Sequence, residues 1–392
     1  MNKKQSHKTL LIKSIFHKND GILWCSIEID GTPENILMSF SNNVSKYLVI
    51  DRCDAIVMGV IMFAIRHNLD IVSDLPISAT LYYKLTRHYL PGICSDNVHV
   101  PRIEAQTIPD ISGGGDIIAT GISCGVDSLY TIMEHTGQDI PNDFCLNHLV
   151  FLNAGAHHFG NKAQSKILLQ GRYNNAMSFC ESIKLPLIEI STNLPEILEK
   201  YSTYDHVEHH TFMMLSCILM IQRGVKRYYY SGGYPYINFD CRILQDKILD
   251  CAHYDLFTLW CATNPKTEFY STGGCLSRFD KIRAMSQYTP ANKFLNVCVS
   301  SVSNCGDCFK CKRTMLELDA AGIIDNYNRV FDVDRYKKNR KKLILEGYRG
   351  ALKGDDLLKE LSNFFSSEIN QSERFLQKMR VFIGKIVSFL DR

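Results

Sequence analysis

Apolar and polar positions alternate with the period of a β-strand through Thr9–Phe16, Ile22–Ile29 and Glu34–Phe40. NDG at Asn19–Gly21 and DGTP at Asp30–Pro33 separate these runs, which predicts a small antiparallel sheet. Helical patterns follow at Cys53–His67 and Ala79–Tyr89. A polar stretch from Pro91 to Pro109 and the SGGG at Ser112–Gly115 then mark a boundary. From Asp116 the pattern changes to short, β-rich apolar runs at Asp116–Ile122, His148–Asn153, Leu185–Ser191, Lys226–Gly232 and Thr267–Ser271. Helical stretches alternate with them near Leu129–Glu134, Asn161–Ile183, Asp205–Arg223 and Arg278–Gln287. Such alternation predicts an α/β fold, a parallel sheet with helices on both faces, whose ligands bind beyond the carboxyl ends of the strands. Past Cys311 the pattern is helical and charged, with no strand signal. The reading therefore has three parts: an N-terminal α+β extension over 1–110, a central domain over 116–325, and a helical C-terminal extension over 326–392.

Composition narrows this little. Hydrophobic residues make up 45% and charged residues 22% of the 392, the balance of a globular protein, and a net charge of +3 gives no argument for nucleic acid. The basic start MNKKQSHKTLLIKSIF is broken by Lys13 and has no small-residue cleavage site, so no secretory signal is expected. The longest apolar run, Ala55–Ile65, is too short to span a bilayer, and no membrane association is expected. Fifteen cysteines, mostly scattered singly, do not form the pattern of a disulfide framework, and a reducing cytoplasm is the expected home for them.

The sharpest local signal is SCGVDS, Ser123, Cys124, Gly125, Val126, Asp127 and Ser128, placed after one predicted strand and before a helix. Phosphate binding needs small residues so that backbone N–H groups can approach, hydroxyls that donate, and a helix N-terminus whose dipole favours negative charge. Ser123, Gly125 and Ser128 meet those needs, and Asp127 can cap the helix or help to hold Mg²⁺. The alternative is a turn with a Ser/Asp helix cap. The second signal is Cys305, Cys308 and Cys311 in C-x-x-C-x-x-C, with Cys298 upstream and Lys310, Lys312 and Arg313 alongside. Four thiolates around Zn²⁺ make a closed structural site, and the same ligands can also hold an iron–sulfur cluster.

SCGVDS resembles the SGGxDS loop of PP-loop ATP pyrophosphatases, with Cys124 where that superfamily has glycine. Loop and cysteine cluster together resemble QueC, the 7-cyano-7-deazaguanine synthase family, which joins a PP-loop to a cysteine and a C-x-x-C-x-x-C that bind zinc. GGYPYINFDCR, Gly232–Arg242, is similar to that family's glycine–tyrosine–proline…Asp-Cys-Arg stretch, and Lys281 falls where the family carries a lysine. The resemblance covers about Ile117–Leu318, and the unmatched flanks resemble a divergent relative such as the QueC-like proteins of bacterial antiphage systems. It implies a HUP-type, Rossmann-like doubly wound parallel sheet with a Cys₄ zinc knuckle. It further implies an ATP-dependent, AMP-producing ligase that adenylates a carboxylate, a 7-deazaguanine carboxylate in that family, and releases pyrophosphate. Ammonia or an amine then captures the acyl-adenylate to give a nitrile, an amide or a modified protein. The implied catalytic residues are Asp127, Ser128 and Lys281. The loop would hold the phosphates, Asn153 and Ala154 the adenosine, and Tyr234, Asp240 and Arg242 the carboxylate substrate. ATP, Mg²⁺ and Zn²⁺ are the implied cofactors, and a protein acceptor and a homodimer are among the implied partners.

Two other readings stay open: a nucleotide-binding zinc protein with reduced catalysis, and a tRNA-modifying PP-loop enzyme. The basic run Arg335–Lys342 would be the RNA footprint of the second, or else a solvated helix face. His206, His209 and His210, with His157 and His158, lack the spacing of a zinc helix and read as structural, surface or pocket residues. The last helix gathers Phe375, Met379, Phe382, Ile386 and Phe389 on one face, expected to dock on the core or on a partner subunit.

Overall fold

The computed structural model describes residues 8–18, 21–95, 97–112, 114–156, 162–243 and 248–390, with the side chains of 162, 356 and 384–390 left out. His157, His158 and the side chains of Ile386 and Phe389 lie outside that set. The chain divides into two compact units, Met1–Ser123 with Thr131–Cys275, and Cys124–Tyr130 with Leu276–Arg392.

The first unit carries the strands: β1 (Lys8–His17), β2 (Ile22–Ile29), β3 (Thr32–Phe40), β4 (Leu69–Ser73), β5 (Ile77–Ser78), β6 (Ile103–Glu104), β7 (Thr107–Ile108), β8 (Ile117–Gly121), β9 (His148–Asn153), β10 (Leu187–Thr192), β11 (Val225–Ser231) and β12 (Glu268–Thr272). A 10-stranded sheet takes the order β12-β11-β8-β9-β10-β3-β2-β1-β4-β6. From β12 to β10 every pairing is parallel. The meander β1–β2–β3 is antiparallel, as its turns predict, with Asp30 and Gly31 both at positive φ in the hairpin. It is not a separate sheet. β3 joins β10 antiparallel, Phe40 opposite Ile190, so one sheet crosses the boundary expected between 110 and 116. β4 and β6 extend the other edge by parallel pairing.

Beside the sheet runs the helix Asp54–His67, buried from Asp54 to Ile65. A helix apolar all round belongs in a core, and this one packs on the helix His206–Leu219. Gly59 permits the approach: a Cβ there would lie 2.8 Å from both Leu194 Cδ2 and Ser216 Oγ. Arg66 Nε donates to Glu208 Oε1 at 2.8 Å, and Asp54 accepts from the Ser78 backbone N–H at 2.8 Å. Arg66 and Glu208 thus form an ion pair, and the buried Asp54 carboxyl is satisfied by hydrogen bonds.

The second unit is helical, and it contains no strand among the described residues. In it Phe375, Leu376, Met379, Phe382 and Ile383 of the helix Gln371–Leu390 are exposed, so Phe375, Met379 and Phe382 of the expected docking face do not pack on the core. Val381 and Gln377 are the inward residues of the same helix. Four of the six cations of the basic run form ion pairs within the protein: Arg335 with Asp307, Lys337 with Asp325, Arg340 with Asp319 and Glu368, and Lys341 with Glu373. Among the described residues no helix is long and apolar enough to cross a membrane.

Candidate functional site

β8 ends at Gly121 and a helix starts at Val126, so SCGVDS forms the loop and first turn between them. Cys124 takes φ +58°, the left-handed conformation that glycine adopts most readily and that costs another residue about 1 kcal/mol. Its side chain is buried, and its carbonyl accepts from the Asn296 N–H at 2.8 Å. The turn is thus held in a strained state by its surroundings, a pattern that gathers at functional sites. Ser128 Oγ donates to the Gly125 carbonyl at 3.1 Å.

Asp127 is the centre of the second unit's charge network. Lys281 Nζ donates to its Oδ1 at 2.8 Å, and Arg278 Nη1 to its Oδ2 at 3.1 Å. Burial pushes the Asp127 carboxyl up, but the two cations outweigh it and hold it below its ordinary value. Arg278 continues to Glu317 Oε2 at 3.3 Å and Thr314 Oγ1 at 3.3 Å, and Arg313 Nε lies 3.6 Å from Glu317 Oε1. Burial raises the Glu317 carboxyl against the pull of these two arginines. Lys281, only 1% exposed, is therefore a partner of Asp127 within the protein. Both oxygens of Asp127 thus accept from cations of the protein, Oδ1 from Lys281 and Oδ2 from Arg278. Arg278 and Glu317 escaped the sequence reading, and Arg313, expected beside the cysteine cluster, pairs with Glu317 instead. Arg278 precedes Lys281 by one helical turn, and that spacing was the available signal.

The four cysteines converge. The Sγ atoms of Cys298, Cys305, Cys308 and Cys311 all lie within 4.8 Å of one another. Two pairs, Cys305–Cys311 and Cys308–Cys298, stand at 4.0 Å. Four sulfurs tetrahedrally around zinc at about 2.3 Å would stand roughly 3.8 Å apart, so the set needs little closure to hold a metal ion such as zinc. The backbone aids it: the Cys308 N–H donates to Cys305 Sγ at 3.3 Å and the Cys311 N–H to Cys308 Sγ at 3.5 Å. The second bond also caps the helix Phe309–Ala320. Hydrogen bonds of this kind stabilise thiolates and orient them.

In the first unit Asn153 ends β9 and Ala154 is buried just beyond it. Gly155 follows at φ +103°, where a Cβ would come 2.4 Å from the Tyr204 hydroxyl. Tyr234 stacks on His253, centroids 4.0 Å apart at 18°. The Asp240 N–H donates to the His253 carbonyl at 3.1 Å, and the Arg242 N–H to Asp240 Oδ1 at 3.3 Å. Tyr234 and Asp240 are thus brought together through His253, which the sequence reading did not single out. Asp240 and Arg242 are exposed. His209 is buried, its Nδ1 bonded to the Asp205 carbonyl at 2.8 Å, and burial holds its pKa low.

Comparison of the chain with protein-family models, with curated proteins and with solved structures finds no match.

Proposed function

We propose that the chain is an ATP-dependent ligase of QueC type, which adenylates a carboxylate, releases pyrophosphate and passes the acyl group to ammonia or an amine. The observation that carries this reading is Cys124 at φ +58°, in a turn between a parallel strand and a helix N-terminus. A left-handed residue in such a turn is the backbone pattern that gathers N–H groups around an anion, and the dipole of a helix N-terminus favours negative charge. In this reading the carboxylate oxygen attacks the α-phosphorus of ATP and the bond to the β-phosphate bridging oxygen breaks. The hydroxyls of Ser123 and Ser128 and the loop N–H groups hold the departing phosphates. Asp127 fixes the loop from behind through Lys281 and Arg278, which makes Lys281 a positioning residue. Asn153 and Ala154 take the adenosine, and Tyr234, Asp240 and Arg242 the substrate, by the resemblance alone. The four cysteines hold zinc in a closed site that folds its segment and takes no part in the chemistry.

One observation favours a second reading, a nucleotide-binding protein of low turnover: both oxygens of Asp127 are already held by cations. The pairing of Arg335, Lys337, Arg340 and Lys341 within the protein weakens the reading of that run as an RNA footprint. Incubation with ATP, Mg²⁺ and a panel of carboxylates, 7-deazaguanine carboxylates included, tests the proposal by nucleotide analysis. AMP and pyrophosphate are expected. ADP and orthophosphate would remove the chain from this chemistry, and nucleotide binding without turnover across the panel would establish the second reading.

A further inference from the structure

Away from the four cysteines, His210, Asp250 and Cys251 bring an imidazole nitrogen, a carboxylate oxygen and a sulfur within 4.8 Å of one another. His210 lies in the first turns of the helix His206–Leu219, and Asp250 and Cys251 open a short turn 40 residues along the chain. His210 Nε2 stands 3.1 Å from Asp250 Oδ1. We propose that this cluster is a second metal site, for a divalent ion of the zinc class, with three protein ligands and one open position.

The outer contacts carry the argument as much as the ligands do. His210 Nδ1 is hydrogen-bonded to the hydroxyl of Tyr230, at the carboxyl end of β11. With its proton on Nδ1 the ring presents the Nε2 lone pair on the side of Asp250. A partner on the second nitrogen is what orients a ligating histidine. Cys251 Sγ accepts from the Thr211 N–H at 3.5 Å, and the Thr211 hydroxyl is 3.3 Å away, contacts that hold the sulfur in place. The Ala252 N–H donates to Asp250 Oδ1 at 2.9 Å and fixes the carboxylate. A His–Asp hydrogen bond would be complete without a sulfur drawn in beside it by its own partners.

The donor set, one nitrogen, one oxygen and one sulfur, suits zinc and its neighbours and excludes magnesium or calcium, which take oxygen ligands. Exposure is unequal. Cys251 is fully buried, while the side chains of His210 and Asp250 are each 24% exposed. The cluster is closed on the sulfur side and open on the other, where water or an anionic group of a ligand completes the coordination.

Elemental analysis of the purified full-length protein, equilibrated with zinc and desalted, tests this site. About two zinc ions per chain are expected, one in each cysteine-containing cluster. His210→Gln and Cys251→Ser should each remove about one ion and leave the other, while Cys308→Ser removes the ion of the four-cysteine cluster. Circular dichroism accompanies each variant; should Cys251→Ser fail to fold, His210→Gln, at a partly exposed position, decides alone. One zinc per chain in the parent protein, lost only in Cys308→Ser, overturns the site. So does a stoichiometry of two that neither His210→Gln nor Cys251→Ser changes.

Discussion

Lys281 donates to Asp127 across 2.8 Å, with the lysine side chain 1% exposed and the aspartate 25% exposed. Replacing the lysine by methionine leaves Arg278 as the remaining cation beside Asp127. Losing one partner of a buried pair costs about 3–5 kcal/mol, and the retained arginine should keep the loss near ~2–3 kcal/mol. Urea denaturation of Lys281→Met checks this. An unchanged midpoint would show that Arg278 alone satisfies the carboxylate.

The same pair sets a pH dependence. Asp127 is held below its ordinary value in the folded protein, so its contribution to stability is present above the unfolded value of about 3.9. It is lost as pH falls through the folded value. The parent protein should therefore lose stability below about pH 4 more steeply than Asp127→Asn, which carries no titrating group there. Melting temperatures across the acid range, taken for both proteins, provide the comparison.

Cys124 gives a prediction of sign. Glycine would relieve about 1 kcal/mol of left-handed strain but would lose a buried thiol and loosen the unfolded chain, terms of similar size. Cys124→Gly should stay within ~1 kcal/mol of the parent. Cys124→Val, β-branched at a positive φ, should lose ~2 kcal/mol or more. Equal stability of the two variants would mean that the turn relaxes to negative φ.

Ser128→Ala removes a hydroxyl from the loop. A hydrogen bond to a charged group is worth about 1.5–3 kcal/mol, so AMP formation at saturating ATP should fall roughly ten- to hundredfold. The melting temperature should move less than the rate, because the Ser128 hydroxyl donates to the nearby Gly125 carbonyl within its own turn. Normal AMP formation would reduce SCGVDS to a turn.

Gly59→Leu tests the contact between the two central helices. A Cβ already meets Leu194 and Ser216 at 2.8 Å, and a full side chain must force them apart. The cost of such overpacking is about 1–3 kcal/mol or more, well above the helix-propensity gain of roughly 1 kcal/mol. A thermal melt above that of the parent would show that the helices can separate at no cost.

Local features were readable in the sequence. His148–Asn153 is a strand residue for residue, because a short apolar run with a turn signal before it leaves few alternatives. The four cysteines announce their cluster by spacing alone. Pairings set by distant residues were not readable. Nothing in Leu69–Ser73 says that it lies parallel to β1, and nothing in Leu187–Thr192 says that its free edge meets Phe40. The same limit hid Glu317, since charged residues on a helix read as a solvated face until the neighbours that bury them are known. His210 and Asp250, joined only by folding, carry no motif.

The junction of β3 with β10 constrains how the chain is made. Ile190 pairs with Phe40 across about 150 residues, a span that takes roughly ten seconds or more to synthesise at 5–20 residues per second. Until then the nascent meander offers an unpaired hydrogen-bonding edge from β3, and edges of that kind recruit other chains. A fragment beginning at Asp116 would create the mirror problem, leaving β10 bare. Synthesis in cells should therefore draw on chaperones during that interval, and a shortened chain lacking the first hundred residues should precipitate where the full chain folds.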